Sequence, residues 1–275
     1  MTHRCAVLGS PIAHSLSPVL HRTAYELLGL TDWTFDRFEM LPDDLPGFIA
    51  DCGPEWVGLA CTAPLKERLV TLGEPSERAR QLASGNTYLF GRGGARPQVH
   101  NTDVTGMVAA CGWRGITSAT SAILLGAGAT ARSSLLALAM LGVREITVLA
   151  RDAGRALGSL AGPAARFGQT LEVLPWGTTP GRQVDLVVNT VPTDLEPSWA
   201  SGLVALARGA FDAVYSHGPS PLRSAADAAG RPSLDGLDLL VGQGIEQLKL
   251  MTGRDCPPEP LVEACRREYA RRRTT

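Results

Sequence analysis

The chain has 275 residues, 44% hydrophobic and 19% charged, with 30 glycines and 19 prolines. That is enough for about two domains with real cores, and it excludes a peptide, a collagen-like chain and a low-complexity tract. Lys+Arg (26) balances Asp+Glu (27), so there is no basic footprint for nucleic acid or an anionic membrane, and any bound phosphate must be met locally.

In chain order, short apolar runs alternate with helical patterns. Residues 5–9 predict a strand, and Ser17-Pro18 supplies an N-cap and an N1 proline for a helix to Leu28, stopped by Gly29. Strands over 33–38 and 57–61 flank a helix from Pro42 to about Cys52, and Pro64 opens another helix. Strands follow over 86–90 and 99–101, and Asp103 caps a helix from near Thr105. A second unit opens at Ser121 with a buried-type strand over 122–125, a helix to Leu141, and strands over 146–149, 185–189, 210–215 and 233–234. Two helices, from about Leu239 to Thr252 and from Pro260 to Arg273, close the chain. The alternation predicts an α/β protein with mostly parallel sheets. The expected division is a first domain of residues 1–104 and 237–275, the terminal helices packing back on it, and a Rossmann-type domain of 105–236.

Six cysteines show no C-x-x-C pair and no histidine at metal-ligand spacing; they read as buried small hydrophobes in a reducing cytosol, with no metal site. The N-terminus lacks a signal-peptide core and no apolar run is long enough to span a bilayer, so a cytoplasmic protein is expected. Only two of the basic residues are lysines, Lys66 and Lys249. A genome-wide codon bias accounts for the arginines, but a lysine kept where arginine is the habit suggests a site where the group must change its protonation state. Lys249 falls within a helix and reads as structural or exposed, and Arg271-Arg272-Arg273 reads as a solvated helix end.

The strand at 122–125 runs directly into Gly126-Ala127-Gly128-Ala129-Thr130-Ala131. This is a G-x-G-x-x-A turn in the strand–turn–helix context that dinucleotide binding requires. Gly126 allows the tight turn, Gly128 lets the backbone approach a pyrophosphate and Ala131 permits close packing. After the next strand the chain offers Arg151, Asp152 and Arg155 instead of a lone acid. Two guanidinium groups one helical turn apart suit a 2′-phosphate, which predicts NADP(H) over NAD(H). Asp152 can either orient Arg151 or repel the phosphate.

In the first domain, polar groups gather at strand ends, where open α/β sheets bind ligands. Ser15 and Ser17 follow the first strand, Thr62 and Lys66 the third, and Asn86, Thr102 and Asp103 come later. They suit a small polyhydroxylated substrate. His14 and His21 are set aside as general bases, the first packed within its loop and the second inside a helix.

Taken together, Gly-Ser-Pro-Ile-x-His-Ser-x-Ser-Pro at 9–18, Thr-x-Pro-x-Lys at 62–66, Gly-Asn-Thr at 85–87, Asn-Thr-Asp-x-x-Gly at 101–106, the glycine turn at Gly126, Tyr215 before Ser220-Pro221-Leu222 and Gln243-Gly244 resemble shikimate dehydrogenase over nearly the whole chain. The resemblance implies NADP-dependent interconversion of shikimate and 3-dehydroshikimate in aromatic amino-acid biosynthesis. It implies Lys66 and Asp103 as the catalytic pair, and Ser15, Ser17, Thr62, Asn86 and Gln243 as substrate contacts, with Tyr215 against substrate or nicotinamide. Gly126, Ala127, Gly128, Ala129, Arg151, Arg155 and Thr190 are the expected cofactor residues. The sequence departs from the family pattern at Ala60-Cys61, His100, Ala150, Asp152 and the run around Thr190. A quinate or aminoshikimate dehydrogenase, or a nucleotide-binding regulator without turnover, are the alternatives. The expected partner is a small molecule, with the chain a monomer or homodimer.

Overall fold

The computed structural model describes residues 2–91, 93–193, 195–215 and 220–274. The chain divides into two units, Met1–Gly106 with Leu240–Thr275, and Met107–Leu239.

The first unit carries β1 (His3–Gly9), α1 (Ser17–Leu28), β2 (Trp33–Glu39), α2 (Leu45–Asp51), β3 (Trp56–Cys61), α3 (Lys66–Leu69), β4 (Glu74–Pro75), α4 (Glu77–Leu82), β5 (Thr87–Leu89) and β6 (Gln98–His100). Its sheet has the order β2-β1-β3-β5-β6-β4. β1 pairs parallel with β2 and β3, while β5 runs antiparallel to both β3 and β6. Ala6, Leu8, Leu59 and Leu65 are fully buried in a core with Trp56 and Tyr88. The continuous apolar runs of β1 and β3 follow from burial on both faces.

α5 (Asp103–Trp113) starts in the first unit and runs into the second, which continues with β7 (Ser121–Leu125), α6 (Ala129–Met140), β8 (Glu145–Ala150), α7 (Ala153–Arg166), β9 (Thr170–Pro175), β10 (Val184–Asn189), α8 (Pro197–Leu206), β11 (Ala207–Asp212), α9 (Pro221–Ala228) and β12 (Ser233–Leu234). All of its strand pairings are parallel, in the order β12-β11-β10-β7-β8-β9. The first strand, β7, lies between β8 and β10, so the strand order reverses there and opens a crevice at the C-terminal ends of the strands. α10 (Gly236–Thr252) leads back to the first unit and α11 (Pro258–Thr274) packs there on α1.

Several local expectations are corrected. Ser17 is the first residue of α1 and no side chain bonds at the Leu16 cap position; the Ser17 amide instead donates to Ser15 Oγ at 3.3 Å. Asp103 is likewise inside its helix, whose start is marked by the Gly106 amide donating to the Thr102 carbonyl. Pro64 lies in a turn closed by the Leu65 amide on the Thr62 carbonyl, and the helix begins at Lys66. α2 begins at Leu45 with Pro46 in its first turn, because Pro42, Asp43 and Asp44 form a turn of their own. β11 spans 207–212, ending three residues before Tyr215.

Among the described residues no helix is long and apolar enough to cross a membrane, and no group of His, Cys, Asp and Glu could hold a metal ion. All six cysteines are free. Burial pushes the Cys111 and Cys265 thiols up to about 12, which keeps them protonated and unreactive.

Candidate active site and cofactor cleft

In the second unit, β7 delivers its last residue, Leu125, to the crevice. Gly126 there takes φ +98°, and a Cβ on it would lie 2.7 Å from both Thr190 Oγ1 and Val191 Cγ2. Glycine is therefore required twice over, by conformation and by space. Gly128 occupies the N-cap position of α6 without a side-chain cap bond, and a Cβ on it would enter open space. The first amides of α6 and the positive end of its dipole suit a phosphate at that point. Ala129 is the first residue of α6, and Ala131 is buried at its base.

A cleft of about 350 Å³ lies over this turn, lined by Gly126, Ala127, Gly128, Ala150, Arg151, Asp152, Arg155, Trp176 and Thr190 among others. Ser159 of α7 steadies the turn by donating to the Ala127 carbonyl at 2.7 Å. Thr190 donates its hydroxyl to the Leu125 carbonyl at 2.7 Å, tying the end of β10 to the end of β7. Arg151 and Arg155 are exposed. Asp152 is committed elsewhere: its carboxylate accepts from the Arg155 amide at 2.9 Å and so caps α7. The residues present thus fit a dinucleotide carrying an additional phosphate, with two guanidinium groups at the cleft and one carboxylate beside them.

In the first unit, Lys66 Nζ donates to Asp103 Oδ2 at 2.6 Å, the two side chains being 14% and 8% exposed. The other carboxylate oxygen, Oδ1, accepts from Asn86 Nδ2 at 2.8 Å. Asn86 Nδ2 also points at Thr102 Oγ1 and Gln243 Oε1, at 3.0 and 3.3 Å, while Asn86 Oδ1 accepts from the Thr102 amide at 2.8 Å. Gln243 on α10 is held by its own Nε2 donating to the Leu240 carbonyl at 2.8 Å. The structure therefore brings Lys66, Asp103, Asn86 and Gln243 into one polar cluster. Ser15, on the loop after β1, and Ser17, the first residue of α1, are both buried. Thr62 follows β3 and is anchored by its amide on the Leu8 carbonyl.

Three further residues are placed as follows. Tyr215 lies in the second unit, immediately before residues 216–219, which are outside the described residues. His21 is fully buried in α1, stacked on Phe35 at 4.0 Å. Lys249 is exposed and faces Asp255 at 3.6 Å. Sequence reasoning passed over Thr102 as a brace for Asn86, and Gln247, whose Nε2 donates to the Asn86 carbonyl and Thr87 Oγ1, both at 3.1 Å. It also passed over Trp176, which reaches the cleft from the end of β9.

Residues 7–88 match the shikimate dehydrogenase substrate binding domain, and 236–266 the shikimate 5'-dehydrogenase C-terminal domain. A shikimate dehydrogenase (NADP(+)) of Natronomonas pharaonis is 32% identical over 270 residues, covering 94% of this chain and 97% of that protein. The chain belongs to the shikimate dehydrogenase family. Among solved structures, the shikimate dehydrogenase of Mycobacterium tuberculosis is similar to this family member with a TM-score of 0.85 and 34% identity, over 97% of this chain and 99% of that one. The shikimate 5-dehydrogenase of Thermus thermophilus, in complex with NADP(H) and shikimate, gives 0.82 and 30%, over 97% and 99%. The departures from the family pattern fall at defined places in this shikimate dehydrogenase fold. Ala60 and Cys61 are buried on β3, where the Cys61 amide donates to the Asn86 carbonyl at 2.8 Å. His100 receives the Asn86 amide on its own carbonyl at 2.9 Å. Both positions hold Asn86 through backbone atoms, which a change of side chain leaves available.

Proposed function

We propose that the chain interconverts 3-dehydroshikimate and shikimate with NADP(H), as its place in the shikimate dehydrogenase family supports. NADP(+), when bound, accepts the hydride that leaves the alcohol carbon. Everything else is asked of the chain. Lys66 exchanges the proton of the reacting oxygen through Nζ, and Asp103 holds the resulting ammonium and orients it. Asn86 fixes the Asp103 carboxylate by occupying its second oxygen, so that one lone-pair direction remains aimed at Lys66. Ser15, Ser17, Thr62 and Gln243 offer hydroxyl and amide groups to a polyhydroxylated acid, and Tyr215 is assigned to substrate or nicotinamide. Arg151 and Arg155 take the 2′-phosphate, with the amides of Gly126 to Ala129 and the Thr190 segment around the rest of the cofactor. The free cysteines fit a reducing cytoplasm, and a monomer or homodimer suffices for this chemistry.

The observation that carries the mechanism is the Lys66–Asp103 contact at 2.6 Å with Asn86 on the opposite carboxylate oxygen. The test is a single reduction assay comparing shikimate, quinate and an amino analogue with NADP+ and with NAD+. The highest kcat/KM is expected for shikimate with NADP+. Turnover of quinate alone would reassign the substrate, and absence of turnover on all three would leave a nucleotide-binding regulator.

A further inference from the structure

The C-terminal arginine run is not simply a solvated helix end. Arg272, near the end of α11, turns its guanidinium toward the loop that follows β1. Nη1 lies 3.2 Å from the His14 carbonyl and 3.4 Å from the carbonyls of both Ala13 and Ser15. Three successive carbonyls thus converge on one cationic nitrogen. Its neighbour Arg271 is 64% exposed, whereas Arg272 is 27% exposed. Glu268, one turn earlier, aims the group by accepting from Arg272 Nε at 2.7 Å and also binds Arg271 at 2.8 Å.

The same loop is gripped from the sheet side. Arg37 on β2 donates to the Ala13 carbonyl at 2.5 Å, and Glu39 accepts from Ser10 Oγ at 2.6 Å and from the Ile12 amide at 3.1 Å. A loop whose carbonyls point one way has no helix or ladder to hold it, so its geometry is set by the donors brought to it. A guanidinium supplies several donors in one rigid plane.

We infer that Arg272 is a positioning residue for substrate: it clamps the 13–15 carbonyls and thereby fixes where the Ser15 and Ser17 hydroxyls stand. The inference rests on the reading of those two serines as substrate contacts. Arg272 itself does not touch the reacting atoms, so its loss is expected in substrate affinity and not in the chemical step.

The test compares wild type with Arg272→Met, which keeps much of the apolar stem, and Arg272→Lys, which keeps the charge with a single donor head. Removing charge-assisted bonds of this kind predicts a rise of about tenfold in KM for shikimate. kcat and KM for NADP+ are expected to stay near wild type, with Arg272→Lys in between. Amide hydrogen exchange over residues 12–17 is expected to speed up in the same order while exchange in β7 and β8 is unchanged. An unchanged shikimate KM in a folded variant would overturn the inference. So would parallel loss in both KM values, kcat and Tm for the lysine and methionine variants alike, since that marks a general structural role. If the wild type fails to oxidise shikimate, the functional reading fails on its own, and loop exchange still decides whether the clamp exists. Should Arg272→Met not fold, Arg272→Lys carries both readouts at smaller amplitude.

Discussion

Lys66 Nζ meets Asp103 Oδ2 at 2.6 Å across 37 residues of sequence, one side chain opening a four-residue helix and the other opening α5. Neither is deeply enough buried to be cut off from a ligand, and neither is so exposed that the pair reduces to a solvated surface bridge. Lys66→Ala is expected to lower kcat by about 10²–10⁴-fold, the range for loss of a positioned proton-transfer group. NADP+ affinity, measured by titration, stays near wild type. Lys66→Arg is the sharper variant, because it preserves the positive charge opposite Asp103 but cannot give up its proton. Full activity in Lys66→Arg would remove proton transfer from the role of this residue.

The cofactor side makes an independent prediction. Arg151→Ala is expected to cost about tenfold in kcat/KM with NADP+, as loss of a charge-assisted phosphate contact would. Turnover with NAD+ should change little, and the NADP+ effect should shrink with added salt. Asp152 has two separable effects. Its carboxylate caps α7 through the Arg155 amide, and its charge stands beside the expected phosphate. Asp152→Thr keeps a capping oxygen while removing the charge, so NADP+ KM is expected to fall with Tm nearly unchanged. Asp152→Ala loses the cap as well and costs about 1 kcal/mol of stability. Equal cofactor kinetics in wild type and Asp152→Thr would show the charge to be irrelevant.

Much of this site was legible beforehand because its signals are local. Gly126 and Gly128 sit between a strand and a helix, and the strand pattern alone places them in a crevice. Lys66 stood out because lysine is scarce in this chain. What escaped were features set by tertiary contact. α7 is interrupted in sequence by Gly154, Gly158, Gly162 and Pro163, which hides both it and the short strand β9 that follows, and without β9 nothing places Trp176 at the cleft. Residue type marks Ser17 and Asp103 as caps, yet each is the first residue inside its helix. An N-cap and an N1 residue differ by one position, and residue type does not resolve that difference. Arg272 reads as solvated in sequence because its partners are backbone carbonyls some 257 to 259 residues away.

His21 predicts an acid sensitivity. It is fully buried, and burial lowers its imidazole from 6.5 to about 3, with a smaller opposing pull from Gln247. A histidine with a depressed folded-state pKa stays neutral in the native protein while the unfolded chain takes up a proton below 6.5. The stability it confers is therefore complete above about pH 6.5 and is lost progressively as pH falls toward 3. Between about pH 8 and pH 5 this amounts to about 2 kcal/mol. Urea midpoints measured across that window should fall in the wild type and fall less in His21→Phe, whose ring can keep the stack on Phe35. Parallel pH profiles for the two proteins would assign the acid loss to other groups.

Gln243 reaches Asn86 across a tight helix crossing. α5 and α10 meet at Gly106 and Gly242 so closely that a Cβ on Gly106 would lie 2.4 Å from the Gln243 amide nitrogen, and a Cβ on Gly242 would lie 2.4 Å from the Gly106 carbonyl oxygen. The obstacles are backbone atoms, so no side-chain rotation relieves them. Gly106→Ala must push the two helices apart or shift the start of α5, at a cost of about 1–3 kcal/mol for forced overpacking. Because Asp103 and Gln243 ride on those same helices, the displacement is transmitted to both ends of the Asn86 network. Gly106→Ala is thus expected to lower both Tm and kcat/KM for shikimate, while NADP+ binding, expected at the glycine turn of the second unit, is retained. Gly112→Ala, on the same α5 helix and with open space around its Cβ position, serves as the control. It should be neutral or slightly stabilising, since alanine is the better helix former. Equal behaviour of the two alanine variants would show that the helix crossing tolerates expansion and that the polar cluster does not depend on it.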